Sequence, residues 1–236
     1  MSGSDELPSN AGDRLSLPSS LRSAFGDVPC VAAPRAAIVE AGEACHHIFL
    51  LASGWSYRER RAAPGRRAIL DVYMPGDVMG LDHLLGERAL DRIVALTVAR
   101  YQCLDRSALD VLLRRSDVAR HLMLCFAAEK ARLDQHATRL SRLPAIERLA
   151  AGLVHLYERA SPPRSGESPS HSSGAAISLP LTLHHLADYL GLSIVHVTRT
   201  VRTLRDEGLV EVRNADLIVR DPARLRAIAR VDLTLA

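Results

Sequence analysis

The chain has 236 residues, 47% of them apolar and 24% charged, with a formal net charge of +3. That is enough apolar material for two modest cores, and no apolar run approaches the roughly 18 residues a membrane span needs, which excludes a helical membrane protein. A net charge this small makes no case for nucleic acid, so any such case must rest on local clustering.

The first twenty residues are polar and rich in Ser, Pro, Gly and Asp, without the apolar stretch of an export signal. They predict a disordered tail over 1–25 and a cytoplasmic chain. From 26 to 115, turn signals recur at Gly42-Glu43, Ser53-Gly54, Pro64-Gly65 and Pro75-Gly76-Asp77. They fall about eleven residues apart between segments rich in β-branched and aromatic residues, the rhythm of a small all-β roll. Strands are expected at 48–51, 68–73, 93–98 and 101–104, and a helix resumes after Asp105-Arg106-Ser107 with Leu109, Leu112 and Leu113 as its apolar positions. Cys30, Cys45, Cys103 and Cys125 are spaced too irregularly for a zinc ribbon or an iron–sulfur run and are read as reduced structural residues. Cys45 with His46 and His47 is the one metal-like cluster, but neighbours in a strand point to opposite faces, so no metal and no organic cofactor are expected.

Residues 116–143 contain neither Pro nor Gly and carry Ala119, Leu122, Phe126, Leu133, Ala137 and Leu140 in a stripe close to heptad spacing. A helix of that length spans roughly 39 Å, more than a small roll needs for its own core, so the stripe predicts a dimer interface of Leu122, Phe126, Leu133, Ala137 and Leu140. Pro144 opens a new helix. Residues 161–175, rich in Ser, Pro and Gly with a single Arg, read as an inert flexible insertion.

Residues 182–208 carry the sharpest signal. Thr182 caps a helix with apolar positions Leu183, Leu186, Ala187 and Leu190, and Gly191 ends it. Ser193 caps a second helix whose inner side is Val197, Val201 and Leu204. Ala187 is small enough for a close crossing, and Val197 plugs the space between the helices, the spacing of a helix-turn-helix. Outward lie His196, Thr198, Arg199, Arg202, Thr203 and Arg205, with no carboxylate between Ser193 and Arg205, which suits a helix laid in a major groove. Two short apolar runs at 209–212 and 217–219, joined by Arg213-Asn214-Ala215-Asp216, read as a wing, and Asp221-Pro222 starts a last helix ending near Arg230.

This order of parts resembles the CRP/FNR family of bacterial transcription regulators over roughly residues 30 to 230. The resemblance is carried by Leu181-Thr182, Leu186-Ala187, Leu190-Gly191-Leu192-Ser193, Val197 to Val201 and Leu204 to Leu209, with Gly54, Pro75-Gly76-Asp77 and Gly80 in the roll and Pro144 to Ala150 at the junction. It implies an α+β fold: a cyclic-nucleotide-binding-like β-roll at 26–115, a long dimerisation helix at 116–143 and a winged helix-turn-helix at 144–236. The implied function is a homodimeric, sequence-specific DNA-binding regulator, not an enzyme. Its implied partners are an inverted repeat of double-stranded DNA, a second copy of the chain and RNA polymerase.

The departures are as informative. Members that bind cyclic AMP carry a Gly-Glu pair and an Arg-Ser/Thr-Ala run for the ribose and cyclic phosphate. Here Gly80 is followed by Leu81-Asp82, and the later segment reads Asp91-Arg92-Ile93-Val94. Gly80, Asp82 and Arg92 are what remains of an effector pocket, too little for a cyclic-phosphate cradle. The cysteines of the family's oxygen sensors are missing before Cys30. In the second helix of the motif, the family's frequent glutamate is replaced by Val195 while Arg199 keeps the guanine-reading place, so Ile194 or Val195 is expected against a thymine methyl. Thr182, Ser193, His196, Thr198 and Arg202 complete the expected DNA-facing set. The rival reading is a cyclic-nucleotide or small-molecule sensor that signals through protein contacts, with the helix pair as a docking corner.

Overall fold

The computed structural model describes residues 17–63, 66–161, 177–213 and 216–229. The expected tail up to residue 16, nearly all of the 161–175 insertion and the wing tip at 214–215 lie outside the described residues.

Two four-stranded antiparallel sheets form the roll. One has the order β1-β8-β3-β6, from Cys30–Ala32, Ala99–Asp105, His47–Ser53 and Val78–Met79. The other is β2-β7-β4-β5, from Ala37–Val39, Arg92–Ala95, Ser56–Ala63 and Arg66–Tyr73. The four expected strands are present, with the third ending earlier, at Ala95. Strands β1, β2, β4 and β6 were not legible, and β4 is the instructive one. It carries Arg58 and Glu59, both buried, so it lacks the apolar alternation by which a half-buried strand is read.

The N-terminal expectation needs correction. Residues 17–25 are not tail: Ser19–Arg22 form a short helix, α1, and Leu17, Leu21 and Phe25 are buried against Ile48, Leu104 and Leu109. Their i, i+4, i+8 spacing is the apolar stripe of an amphipathic turn, hidden in a Ser/Pro-rich context.

Asp105 caps α2 (Arg106–Leu112) by accepting from the Ser107 N–H, and α3 runs from Ser116 to Arg142 as its Pro-free, Gly-free sequence requires. Helix α4 (Ala145–Ala160) follows Pro144. Beyond it come β9 (Ile177–Leu179), α5 (Leu183–Leu190), α6 (Ile194–Asp206), the hairpin β10 (Val210–Arg213) and β11 (Asp216–Val219), and α7 (Pro222–Ala229). The wing is a three-stranded sheet of order β10-β11-β9. Leu149, Leu153 and Leu156 of α4 pack with Val197, Val201, Leu204 and Leu225 in one core. Burying such side chains contributes about 1.5–3 kcal/mol each, so α4 is the keel of this half.

The inner face of α3 is unexpectedly polar. Val118 and Leu122 share it with His121, Glu129, His136 and Arg139, all buried against the chain's own roll and DNA-binding half. Leu122, expected at a dimer seam, lies instead in the core formed with Leu21, Leu104 and Leu109. The stripe drifts around the helix, and its first members face inward. Phe126 and Ala137 are exposed and Leu133 and Leu140 half-buried, while Met123, which the stripe omitted, is 71% exposed beside Phe126.

Candidate nucleic-acid interface

Local chemistry sets the helix-turn-helix. Thr182 Oγ1 accepts from the His185 N–H (3.2 Å), and His185 Nδ1 accepts from the Thr182 N–H (3.3 Å), a capping box with histidine in the place of the usual acid or amide. At Gly191 the chain turns with φ 60°, a left-handed conformation that glycine adopts without penalty. Ser193 Oγ accepts from the His196 N–H (3.3 Å) and begins α6. Helix α5 packs closely on α4: a Cβ at Gly152 would stand 2.7 Å from Leu190 Cδ2, so a larger residue there would make the Leu190 side chain shift.

Helix α6 presents the expected outer face. Val195 is 72% exposed, and His196, Thr198, Arg199, Arg202, Thr203 and Arg205 are exposed, while Ile194 is half-buried. The arginines are not equivalent. Among the described residues Arg199 makes no ion pair, whereas Arg202 and Arg205 approach Asp206 (3.7 and 3.5 Å). Those pairs are exposed and weak, so phosphates can displace them, but Arg199 starts with its whole fork unengaged. The threonines are committed differently from what sequence suggested. Thr198 Oγ1 donates to the Ile194 carbonyl (2.8 Å) and Thr203 Oγ1 to that of Arg199 (3.3 Å), so outward they offer lone pairs and not protons. Thr182 and Ser193 likewise spend their side chains on caps. In the wing, Glu211 on β10 pairs with Arg213 and Arg220.

Sequence reasoning missed the ties that hold this unit to the roll. Arg67 on β5 donates to Asp188 on α5 (2.5 Å) and to buried Glu59 (3.3 Å), and the Tyr57 ring lies 5.5 Å from that of His185. Deeper, Asp71 of β5 accepts from Arg132 of α3 (2.9 Å), while Arg159 of α4 reaches Asp71 (3.3 Å), Asp77 (2.6 Å) and the Val72 carbonyl (2.6 Å). One buried carboxylate therefore joins the sensor half, the long helix and the DNA-binding half. Burial opposes its charge, but Arg132 and Arg159 outweigh that and hold Asp71 down at about 2. Burial pushes the His136 imidazole, stacked 4.6 Å from Tyr189, down to about 4, with Arg139 adding to it. His155, buried among the same arginines, is pushed down as well, first by burial.

The remnants of an effector pocket do not converge. Asp82 faces Arg58 (3.5 Å), which also meets Glu129 of α3 (2.9 Å) and Asp91 (3.9 Å). Arg92 lies across the β4–β7 ladder from Glu59 and pairs with it (3.2 Å) and with Glu40 (2.8 Å). Neighbours Arg58 and Glu59 point to opposite faces of β4, so Asp82 and Arg92 are on opposite sides of the sheet. Gly80 packs against His83, whose Nδ1 would stand 2.7 Å from a Cβ there.

A basic helix face with no carboxylate before Asp206, on a winged helix-turn-helix fixed to an antiparallel roll by a long helix, defines a DNA-binding transcription regulator with a sensor half. The family profile for Crp-like helix-turn-helix domains matches residues 147–228, and that for cyclic nucleotide-binding domains matches residues 30–116. The nitrogen fixation regulation protein FixK of Rhizobium meliloti is 29% identical over 174 residues, 72% of either chain. FixK of Azorhizobium caulinodans is 28% identical over 223 residues, 92% of this chain and 85% of that one. Among solved structures, FixK2 of Bradyrhizobium japonicum aligns with a TM-score of 0.74 at 23% identity, over 86% of this chain and 98% of that one, a likeness of fold. The chain belongs to the CRP/FNR family of transcription regulators. Its roll is a cyclic-nucleotide-binding-like sensor domain.

Proposed function

We propose that this regulator binds as a homodimer to an inverted repeat, with one α6 in each of two successive major grooves, and that Arg199 donates both fork arms to guanine O6 and N7. The observation that carries the reading is the unengaged Arg199 guanidinium at the centre of an exposed face that is otherwise apolar, hydroxylated or loosely paired. Val195 and Ile194 supply apolar contact for a thymine methyl, and Thr198, with its proton turned inward, accepts from an exocyclic amine. Arg202 and Ser193 with His196 meet phosphates and set register. Met123, Phe126, Leu133 and Ala137 form the seam between copies. The parts are a sensor half that starts with the buried segment from Leu17 and runs to 115, a dimer helix at 116–143 and a DNA-binding half at 144–236, acting in the cytoplasm with RNA polymerase and without catalysis. The sensor does not take cyclic AMP, since Arg92 is neutralised by Glu40 and Glu59 and the Arg58 side is lined by Asp82, Asp91 and Glu129, which repel a phosphate.

Footprinting on operators selected from random sequence tests this. The expected result is two protected half-sites with centres about 34 Å apart. Arg199→Ala should cost about 1–3 kcal/mol and relax one base position per half-site. Equal losses on operator and random DNA would remove Arg199 from base reading.

A further inference from the structure

Cys30 and Cys103 stand apart from the DNA-binding machinery. Cys30 opens β1, the edge strand of its sheet, and lies directly opposite Tyr101 of β8, two residues before Cys103. Cross-strand partners share a face, as do residues i and i+2 of one strand, so Cys30, Tyr101 and Cys103 all project to the same side. Their sulfurs are 3.9 Å apart, and both are free thiols. The segment leading into β1 is laced to the same strand: Gly26 N–H donates to the Cys103 carbonyl (3.4 Å), and Gln102 Nε2 donates to the Gly26 carbonyl (2.8 Å). The two thiols thus sit beside a hydrogen-bonded clamp, and their sulfurs must approach by about 2 Å to reach the bond length of about 2.05 Å.

The other two cysteines are occupied elsewhere. Cys45 is buried with its sulfur 3.2 Å from His83 Nδ1, and the Cys125 sulfur lies 3.4 Å from His121 Nε2. Within the pair the roles are unequal. Cys30 is exposed, whereas Cys103 is half-buried, and burial with the neighbouring Cys30 pushes its thiol up to about 12. Attack from outside therefore begins at Cys30.

We propose that Cys30 and Cys103 are a peroxide-oxidised dithiol, a modification site in the sensor half. The Cys30 sulfur attacks hydrogen peroxide, the O–O bond breaks, one water leaves and Cys30 becomes a sulfenic acid. The Cys103 sulfur then attacks that sulfur, the S–O bond breaks and a second water leaves, carrying the Cys103 proton. Two thiols give up two electrons and two protons, and the peroxide is reduced to two waters. The product bolts edge strand β1 to β8, the strand that runs directly into α2.

The test uses the full chain, reduced, freed of reductant and exposed to a few equivalents of hydrogen peroxide. Remaining thiols are blocked with N-ethylmaleimide in denaturant before mass spectrometry. The expected product has lost about 2 Da, accepts label at Cys45 and Cys125 only, yields a Cys30–Cys103 linked peptide and is restored by dithiothreitol. In Cys103→Ser, Cys30 should accumulate as a dimedone-reactive sulfenic acid; in Cys30→Ser, Cys103 should still take label after the same exposure. Sulfinic acid at Cys30 of the unaltered chain with Cys103 still labelled, a Cys30–Cys30 link between copies, or four unreacted thiols would each overturn the proposal.

Discussion

Asp71→Asn isolates the junction between the sensor half and the DNA-binding half. The substitution keeps volume, and Asn can still accept from the Val72 N–H as Asp71 Oδ1 does (2.8 Å). The amide nitrogen then falls where Oδ2 accepts from Arg132 Nε and Nη2 (3.1 and 2.9 Å), so donors face donors; flipping the amide moves the conflict to Arg159 and Val72. Two routes bound the cost. The fall of the carboxyl from 3.8 to about 2 corresponds to about 2.5 kcal/mol at 1.36 kcal/mol per unit. Breaking a buried pair by removing one partner costs about 3–5 kcal/mol, because the surviving charges stay buried. The second is the better guide, since two arginines lose their counter-charge at once. Urea unfolding at pH 7, followed by the fluorescence of Trp55, the only tryptophan, should show a midpoint about 1–2 M lower. A folded-state carboxyl held down stabilises above pH 3.8 and ceases to as pH falls through 2, so the deficit of the variant should shrink only in that acid window. A midpoint at pH 7 within about 0.2 M of the unaltered chain would refute the claim that Asp71 joins the two halves.

Phe126→Glu places a charge on the exposed face of α3 and should give monomers by sedimentation with weakened operator binding; an intact dimer would move the seam elsewhere. His136 is held neutral in the folded chain, so its contribution is present above pH 6.5 and lost as pH falls towards 4. This amounts to about 3 kcal/mol at 1.36 kcal/mol per unit. His136→Phe should flatten thermal stability across that window, and an unchanged slope would assign the acid sensitivity to other groups. Calorimetry with cyclic AMP and cyclic GMP should show no micromolar binding, and neither nucleotide should shift operator affinity, because a ligand moves an equilibrium only through differential affinity.

The helix-turn-helix was legible because its punctuation is local: Thr182, Gly191 and Ser193 act on their own backbones and need no distant partner. The 27-residue α3 was legible from what it lacks. What stayed hidden depends on pairings between distant residues. Strand β4 buries Arg58 and Glu59 because Glu129, Asp82, Arg67 and Arg92 arrive from four other segments, and nothing near residue 58 announces them. Arg92 was expected beside Asp82 for the same reason: sequence spacing could not show that Glu40 would claim it from the far side of the sheet. The faces of α3 were half legible, since heptad spacing picked out Phe126 and Ala137, which are exposed, but could not tell that Leu122 faces inward and Met123 outward.

The length of α3 turns it into a lever. A rod of about 40 Å magnifies small tilts: about 5° at one end displaces the other by roughly 3.5 Å, close to one base-pair step. In the proposed dimer, an unbraced tilt of that size would shift a recognition helix by about one register along the duplex. Arg132 pins the rod to β5 near its middle, His136 stacks on Tyr189 of α5, and Leu140 comes up beneath Gly191 at the turn of the motif. These braces touch no base. Their loss should appear as tolerance for operators with an extra or missing base pair between half-sites, before it appears as weaker binding to the correct one.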